Sequence, residues 1–219
     1  MDEGFLASTP LFRGSTPDEV ATMLGCLGAR ERRYISGERV WHMGDTTKSV
    51  GLVLEGTVRV ESVDVWGNVS VMHHVQPGQL FGEAYAASDE PLMVDVVASD
   101  DCRILFLDVA KVLTTCPHAC PHHARTSANL TAAIARQCLA LSYRIFHTAP
   151  KTIRGKVLSY LSSQVEHVGA AEFDIPYNRQ QLADYLGVDR SALSAELSRM
   201  VRDGLIETNR NHFRLLDIN

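Results

Sequence analysis

A chain of 219 residues with 45% hydrophobic and 21% charged side chains suits one large or two modest domains and can bury a proper core. No run approaches the roughly 18 apolar residues of a membrane helix, and no basic region with an apolar core opens the chain, so a cytoplasmic protein is expected. The five cysteines are then reduced, and their odd number argues against a disulfide framework. The net charge of −5 is held unevenly: residues 1–149 carry 12 basic against 17 acidic side chains, while residues 150–219 balance at 9 against 9. A nucleic-acid contact in such a chain has to be a local cluster of cations.

In chain order, Phe5 to Gly28 predicts a short helical segment. Thr16-Pro17-Asp18-Glu19 has capping-box spacing with proline at the first helical position, ahead of Val20, Met23, Leu24 and Leu27. From Arg32 to about Leu107 the pattern changes to short alternating runs punctuated by glycine, such as Val58-Arg59-Val60 and Val69-Ser70-Val71-Met72, with Asp64 to Asn68 as a hairpin loop. Many short, evenly spaced strands predict a closed antiparallel roll of the jelly-roll kind. Helix returns at Asp108 to Leu113. Cys116 to His123 then gathers two thiols and three imidazoles within eight residues. Three residues separate the cysteines rather than the two usual in zinc knuckles, so they are expected to pack as small hydrophobes, with metal or thiol sensing as the alternative.

A long helix is predicted from about Arg125 to His147. Ile134, Cys138, Leu141 and Ile145 are spaced 4, 3, 4 as in a coiled-coil seam, and Leu130, Leu139 and Phe146 cover much of the rest. A helix apolar nearly all round is buried on two sides, one facing the roll and the other facing its own copy in a homodimer. Thr148-Ala149-Pro150-Lys151 breaks it as a hinge. Ile153 to Val168 then packs with Val157, Leu158, Tyr160 and Leu161 beneath the C-terminal segment.

That segment, Tyr177 to Leu216, reads as two short helices about a tight turn. The first is capped by Asn178, carries Leu182, Ala183 and Leu186 on one face, and stops at Gly187. Asp189 caps the second, in which Leu193, Leu197, Met200 and Val201 are expected to face inward. The outer arc holds Ser191, Ala195, Ser198 and Arg199, with Arg190 in the first turn. Short side chains let such a helix approach the floor of a B-form major groove while an arginine reaches guanine edges. Gly204 ends it, and a hairpin about Asn209-Arg210-Asn211 places Arg210 at a basic tip. Helix, turn, helix and wing predict a winged helix-turn-helix that binds double-stranded DNA; an ordinary helical hairpin with a solvated face is the plain alternative.

A roll, a long dimer helix, a hinge and a C-terminal winged helix, in that order, resemble the Crp/Fnr superfamily of bacterial transcription regulators. The closest points are Pro77-Gly78-Gln79-Leu80-Phe81-Gly82-Glu83, which looks like the roll's phosphate-loop motif, and Arg179 to Leu205. The resemblance implies an α+β fold. Residues 1–124 form a cyclic-nucleotide-binding-type β-roll, 125–149 a dimerisation helix and hinge, and 150–219 the winged helix-turn-helix. It puts Arg190 and Ser191 where the family's base-reading arginine and glutamate lie, and Arg179, Gln180 and Asp189 at backbone-contacting positions. Ser194 and the wing's Arg210 complete the expected DNA-binding set, while Ala195 stands where a second arginine is common. It further implies RNA polymerase as a partner and a small-molecule effector, in a pocket bounded by Gly82, Glu83, Met93, Val94, Cys138, Leu141 and Ser142.

The chain departs from the cyclic-nucleotide branch at Met93 and Val94, where that branch has the arginine and serine that hold the cyclic phosphate. Cyclic AMP is therefore not the expected effector. Arg59 or Arg103 on a neighbouring strand are the available substitutes. An iron–sulfur cluster of the oxygen-sensing kind needs several N-terminal cysteines, and only Cys26 is there. Haem ligation would fall to His73, His74 or Cys102, but adjacent strand residues point to opposite faces. No metal site is assigned. The rival readings are a cupin-type metal-dependent enzyme, which leaves Arg179 to Leu216 without a role, and a sensor-adaptor that binds only protein.

Overall fold

The structure, a computed structural model, describes residues 2–114 and 121–216. Cys116, His118 and Cys120 fall outside the described residues, while His122 and His123 of the same cluster are described: His122 Nδ1 lies 3.1 Å from Glu19 Oε1 and His123 Nε2 lies 2.6 Å from the Lys111 carbonyl. Contacts divide the chain within its long helix into two compact units, residues 1–136 and 137–219.

The first unit opens with α1 (Glu3–Ser8) and α2 (Pro17–Cys26). The capping box forms as the spacing requires: the Thr16 hydroxyl accepts from the Glu19 amide at 3.3 Å, and the Glu19 carboxylate accepts from the Thr16 amide at 2.9 Å. Eight strands follow: β1 (Arg30–Tyr34), β2 (Arg39–Trp41), β3 (Ser49–Glu55), β4 (Val58–Val63), β5 (Val69–Val75), β6 (Leu80–Phe81), β7 (Asp95–Ala98) and β8 (Cys102–Asp108). They form two four-stranded antiparallel sheets, ordered β1-β8-β3-β6 and β2-β7-β4-β5. The β4 strand alternates, with Val58 and Val60 buried and Arg59 half-buried on the other face. By contrast, Val50 to Leu54 of β3 is buried throughout, because its sheet is covered on both faces. One face meets Leu6, Leu11, Phe12, Met23 and Leu130, and the other meets the roll interior around Phe81 and Ile104. Each such side chain contributes about 1.5–3 kcal/mol on burial. The approach is close: a Cβ on Gly51 would overlap the Phe81 ring. Short helices α3 (Glu83–Ser88) and α4 (Val109–Leu113) complete the roll.

The long helix α5 spans Pro121–Thr148, beginning one turn before the predicted start. Leu130 is fully buried against the roll core and Ile134 packs on it. The remaining members of the expected seam differ from Ile134: Cys138 is exposed, and Leu141 and Ile145 are 64% and 67% exposed. The apolar stripe runs the length of the helix, but the first unit's core reaches only as far as Ile134.

The second unit contains α6 (Ile153–Val168), β9 (Glu172–Asp174), α7 (Arg179–Leu186), α8 (Arg190–Arg202), β10 (Ile206–Asn209) and β11 (His212–Leu215), with the strands ordered β10-β11-β9. Val157, Leu161, Leu182, Leu193, Met200 and Phe213 are among its core residues. Val201, expected to face inward, is 42% exposed. Glu196, at 7% exposed, takes an inward position instead.

Candidate nucleic-acid interface

The turn between α7 and α8 is built by short-range chemistry. Asn178 accepts from the Gln181 amide and Gln181 from the Asn178 amide, both at 2.9 Å, a reciprocal box that starts α7. Gly187, at φ 61, ends it in the left-handed region. Asp189 then caps α8, accepting from the Ala192 amide at 2.8 Å and from the Ser191 hydroxyl. Those bonds, from Ser191 first and then the amide, hold the Asp189 carboxyl below the usual range. The remaining serines of the outer face turn back onto the helix: Ser194 donates to the Arg190 carbonyl at 3.0 Å and Ser198 to the Ser194 carbonyl at 2.9 Å. The face left to solvent is therefore short and low.

At the edge of that face Arg179, Gln180, Arg190 and Arg210 line one solvent-open cleft of about 630 Å³. Among the described residues, neither the Arg190 nor the Arg210 guanidinium has a hydrogen-bond or ion-pair partner. Arg210 stands in the two-residue turn between β10 and β11 at φ 52, a conformation uncommon for a residue with a Cβ. The turn is one residue tighter than the three-residue tip expected. Arg179 is used differently. Its Nη2 donates to Thr208 Oγ1 at 2.7 Å and its guanidinium carbon lies 4.9 Å from the centre of the Phe213 ring. Burial pulls the pKa of this arginine down. It ties α7 to the wing.

Arg199 also differs from expectation. Its Nε and Nη2 donate to Glu196 Oε2 at 2.9 and 2.5 Å, and Arg154 of α6 donates to Oε1 of the same carboxylate at 2.6 Å. Arg154 first, then Arg199, hold the Glu196 carboxyl low. A readable signal existed, since a glutamate on the inward arc beside Leu193, Leu197 and Met200 needs a cationic partner, and Arg199 lies at i+3. Equally unforeseen, Arg144 of α5 donates from Nε to the Tyr185 carbonyl and from Nη2 to the Asp184 carbonyl, both at 3.2 Å. A cation there satisfies the last carbonyls of α7 and complements its dipole.

In the first unit the expected phosphate loop is a turn with Gly78 at φ 84 and Gly82 at φ 76. A side chain at 82 would overlap the Trp41 ring. Glu83, the first residue of α3, is 2% exposed. Met93 is 74% exposed and Val94 half-buried, and neither carries charge. Arg59 and Arg103, the possible substitutes, are both engaged: Arg59 Nε lies 2.6 Å from Glu61, and Arg103 bridges Glu31 and Glu55 at 3.0 and 2.7 Å. In the second unit, Leu141 is exposed and the Ser142 hydroxyl donates to the Cys138 carbonyl at 3.0 Å. His73 and His74 stand opposite Val60 and Arg59, which lie on opposite faces of β4. The Cys102 thiol is pushed up to about 11 by burial. Among the described residues, no three His, Cys, Asp or Glu side chains converge as metal ligands, and no helix is long and apolar enough to cross a membrane.

Comparison with known proteins gives two family matches, a cyclic nucleotide-binding domain over residues 31–117 and a Crp-like helix-turn-helix domain over 155–219. The cyclic AMP receptor protein of Thermus thermophilus is 24% identical over 204 residues, covering 92% of this chain and 89% of its own. The transcriptional activator protein FnrA of Stutzerimonas stutzeri is 26% identical over 196 residues, with 86% and 77% covered. Among solved structures, the catabolite activator protein of Thermus thermophilus shares the fold at a TM-score of 0.52 and 23% identity, with 94% and 93% covered. These matches, with the roll, the long helix and the winged helix-turn-helix in this order, place the chain in the Crp/Fnr superfamily of bacterial transcription regulators.

Proposed function

We propose that the chain is an effector-controlled, homodimeric regulator that binds an inverted-repeat operator. Each subunit inserts the first turns of α8 into successive major grooves ~34 Å apart. The observation that carries this reading is the low outer face of α8 flanked by two unpaired guanidinium groups, Arg190 at its start and Arg210 at the wing tip. In this reading Arg190 and Ser191 face base edges, Gln180, Asp189 and Ser194 line the approach, and Arg179 and Arg210 stand by the phosphate backbone. Residues 1–124 sense, 125–149 join two subunits, and 150–219 read DNA. RNA polymerase is the expected downstream partner and the cytoplasm the expected location.

The dimer is proposed through α5, where Leu139, Leu141, Ile145 and Phe146 are 56–67% exposed in the single chain. Cyclic AMP, which the name of the Thermus relative attaches to that protein, is not the proposed effector here. An equatorial phosphate charge needs a cation where water is excluded. Met93 and Val94 supply none, and Arg59 and Arg103 are already neutralised. A less polar or differently charged small molecule, beside Gly82, Glu83, Met93 and Val94 of the roll, fits this chemistry better.

Selection of bound sequences from a random duplex pool tests the central claim. A two-fold symmetric site with half-sites about 10 bp apart, bound with a steep inverse dependence on salt, is expected. Absence of any salt-dependent duplex binding sinks the reading. Leu141→Asp should give monomers in sedimentation, and micromolar cyclic AMP binding by calorimetry would overturn the effector claim.

A further inference from the structure

His147, in the last turn of α5, is 4% exposed and sits at the meeting point of three helices of the second unit. Its Nδ1 lies 2.8 Å from the Tyr185 hydroxyl of α7 and its Nε2 lies 2.8 Å from the Ser163 hydroxyl of α6. Its ring stacks on Tyr143 at 6.3 Å and meets Tyr160 edge-on at 5.3 Å. The tautomer follows from hydrogen counting. Ser163 has one hydrogen and gives it to the Tyr160 carbonyl at 2.8 Å, so towards His147 it can only accept. That count assigns the hydrogen to Nε2 and leaves Nδ1 to accept from the Tyr185 hydroxyl. A proton added at Nδ1 would turn that acceptor into a donor, so the Tyr185 hydroxyl would have to give up its own donation, and the new charge would lie buried with only neutral hydroxyls beside it.

We propose that His147 is a positioning residue for DNA binding: its neutral ring latches the end of α5 to α6 and α7, and protonation at Nδ1, which ends the Tyr185 donation and buries a charge between two neutral hydroxyls, loosens the reading head. The latch acts on α7 alongside Arg144, which caps that helix through the carbonyls of Asp184 and Tyr185. Release would weaken the fixed placement of α7 and, through the α7–α8 turn, of Arg190.

Protons can reach the ring, because His147 lines a cleft of about 620 Å³ with Tyr143, Tyr160 and Tyr177. The titratable and charged groups around it can be named by element. From α5 come Tyr143 and Arg144, the latter 5.9 Å from the centre of the Tyr185 ring. From α6 come Tyr160, with Glu166 and His167 along the same cleft; from α7 comes Tyr185, and from the segment before it Tyr177. Both polar partners of the ring are neutral hydroxyls, and burial lowers the pKa of His147. The sign follows from that direction. The latch is complete above the ordinary histidine value and is lost as pH falls from that value through the lowered one.

The inference rests on the DNA-binding reading, and two measurements on the full chain separate the two. The first is operator affinity from about pH 7.5 to about pH 5.5 in a His212→Gln background, which removes the half-buried histidine of the wing. A several-fold loss towards acid is expected, and His147→Gln should flatten it; an unchanged profile in that variant, or a flat parent profile, overturns the proposal. The second is the tautomer and titration of His147 by long-range nitrogen–proton correlation on histidine-labelled protein, with Tyr185→Phe as the partner variant. An Nε2–H ring whose titration midpoint rises in Tyr185→Phe is expected. An Nδ1–H ring, or a midpoint indifferent to Tyr185, overturns the latch even if no operator is found.

Discussion

Both units carry arginines beside their expected sites, and they treat them in opposite ways. In the roll, Arg39, Arg59 and Arg103 each lie within 3.3 Å of a carboxylate. In the reading head Arg154 and Arg199 are paired through Glu196, yet Arg190 and Arg210 keep free guanidinium groups among the described residues. The number of cations therefore says less about a nucleic-acid surface than which of them have already been neutralised from within. The neutral balance of residues 150–219 hides the charges left available at the reading cleft, Arg190 and Arg210, while Arg39, Arg59 and Arg103 of the roll are absorbed by its own acids.

The comparison can be broken most heavily from the roll side. Glu61, 4% exposed, pairs with Arg59; Glu61→Ala should cost roughly 3 kcal/mol, the lower end for a broken buried pair because Arg59 keeps some water contact. Urea unfolding should show it while operator affinity per folded molecule stays unchanged. The converse holds for Arg190→Ala, which should leave the urea midpoint in place and weaken operator binding by about 2 kcal/mol, relaxing preference at one base pair in a selection. A wild-type selection profile from that variant would reassign the reading helix.

Arg210→Ala sharpens the contrast between reading and anchoring. It should weaken binding to all duplexes alike and reduce the slope of log affinity against log salt by about one. Smaller still, Arg210→Gly should be more stable to heat than Arg210→Ala by about 0.5–1 kcal/mol, since only glycine adopts φ 52 without penalty. The gentlest test is pH. His212 bridges Asp174 at 3.0 Å and Glu172 at 3.1 Å, and Asp174 first, then Glu172, raise its pKa. Its contribution is full below the ordinary histidine value and disappears as pH rises through the raised one. Wild type should therefore exceed His212→Gln in thermal stability at about pH 6, and the two should converge at about pH 9.

Much of the candidate site was legible because it is built from neighbours in sequence. The Thr16 and Asn178 boxes, the Gly187 stop and the Asp189 cap involve residues at most four apart, and each is a local hydrogen-bond problem with few solutions. The strand alternation of Val58 to Val60 and the apolar stripe of α5 are likewise periodic facts that need no partner to be read. Val201 and Glu196 exchanged places because periodicity assigns an arc to the interior but does not say which edge of that arc a neighbouring helix covers, and Arg154 of α6 covers the Glu196 edge.

What the amino-acid order determined by itself was therefore the string of elements, their caps, and a helix-turn-helix with arginines at its rim. Only the tertiary structure decided which arginines remain free. Arg179 meets Thr208 across 29 positions, Arg154 meets Glu196 across 42, and His147 meets Tyr185 across 38. A charge is neutralised, or a ring given its tautomer, by whatever chain folding brings within about 3 Å, and that distance is set by packing of whole elements rather than by separation along the sequence.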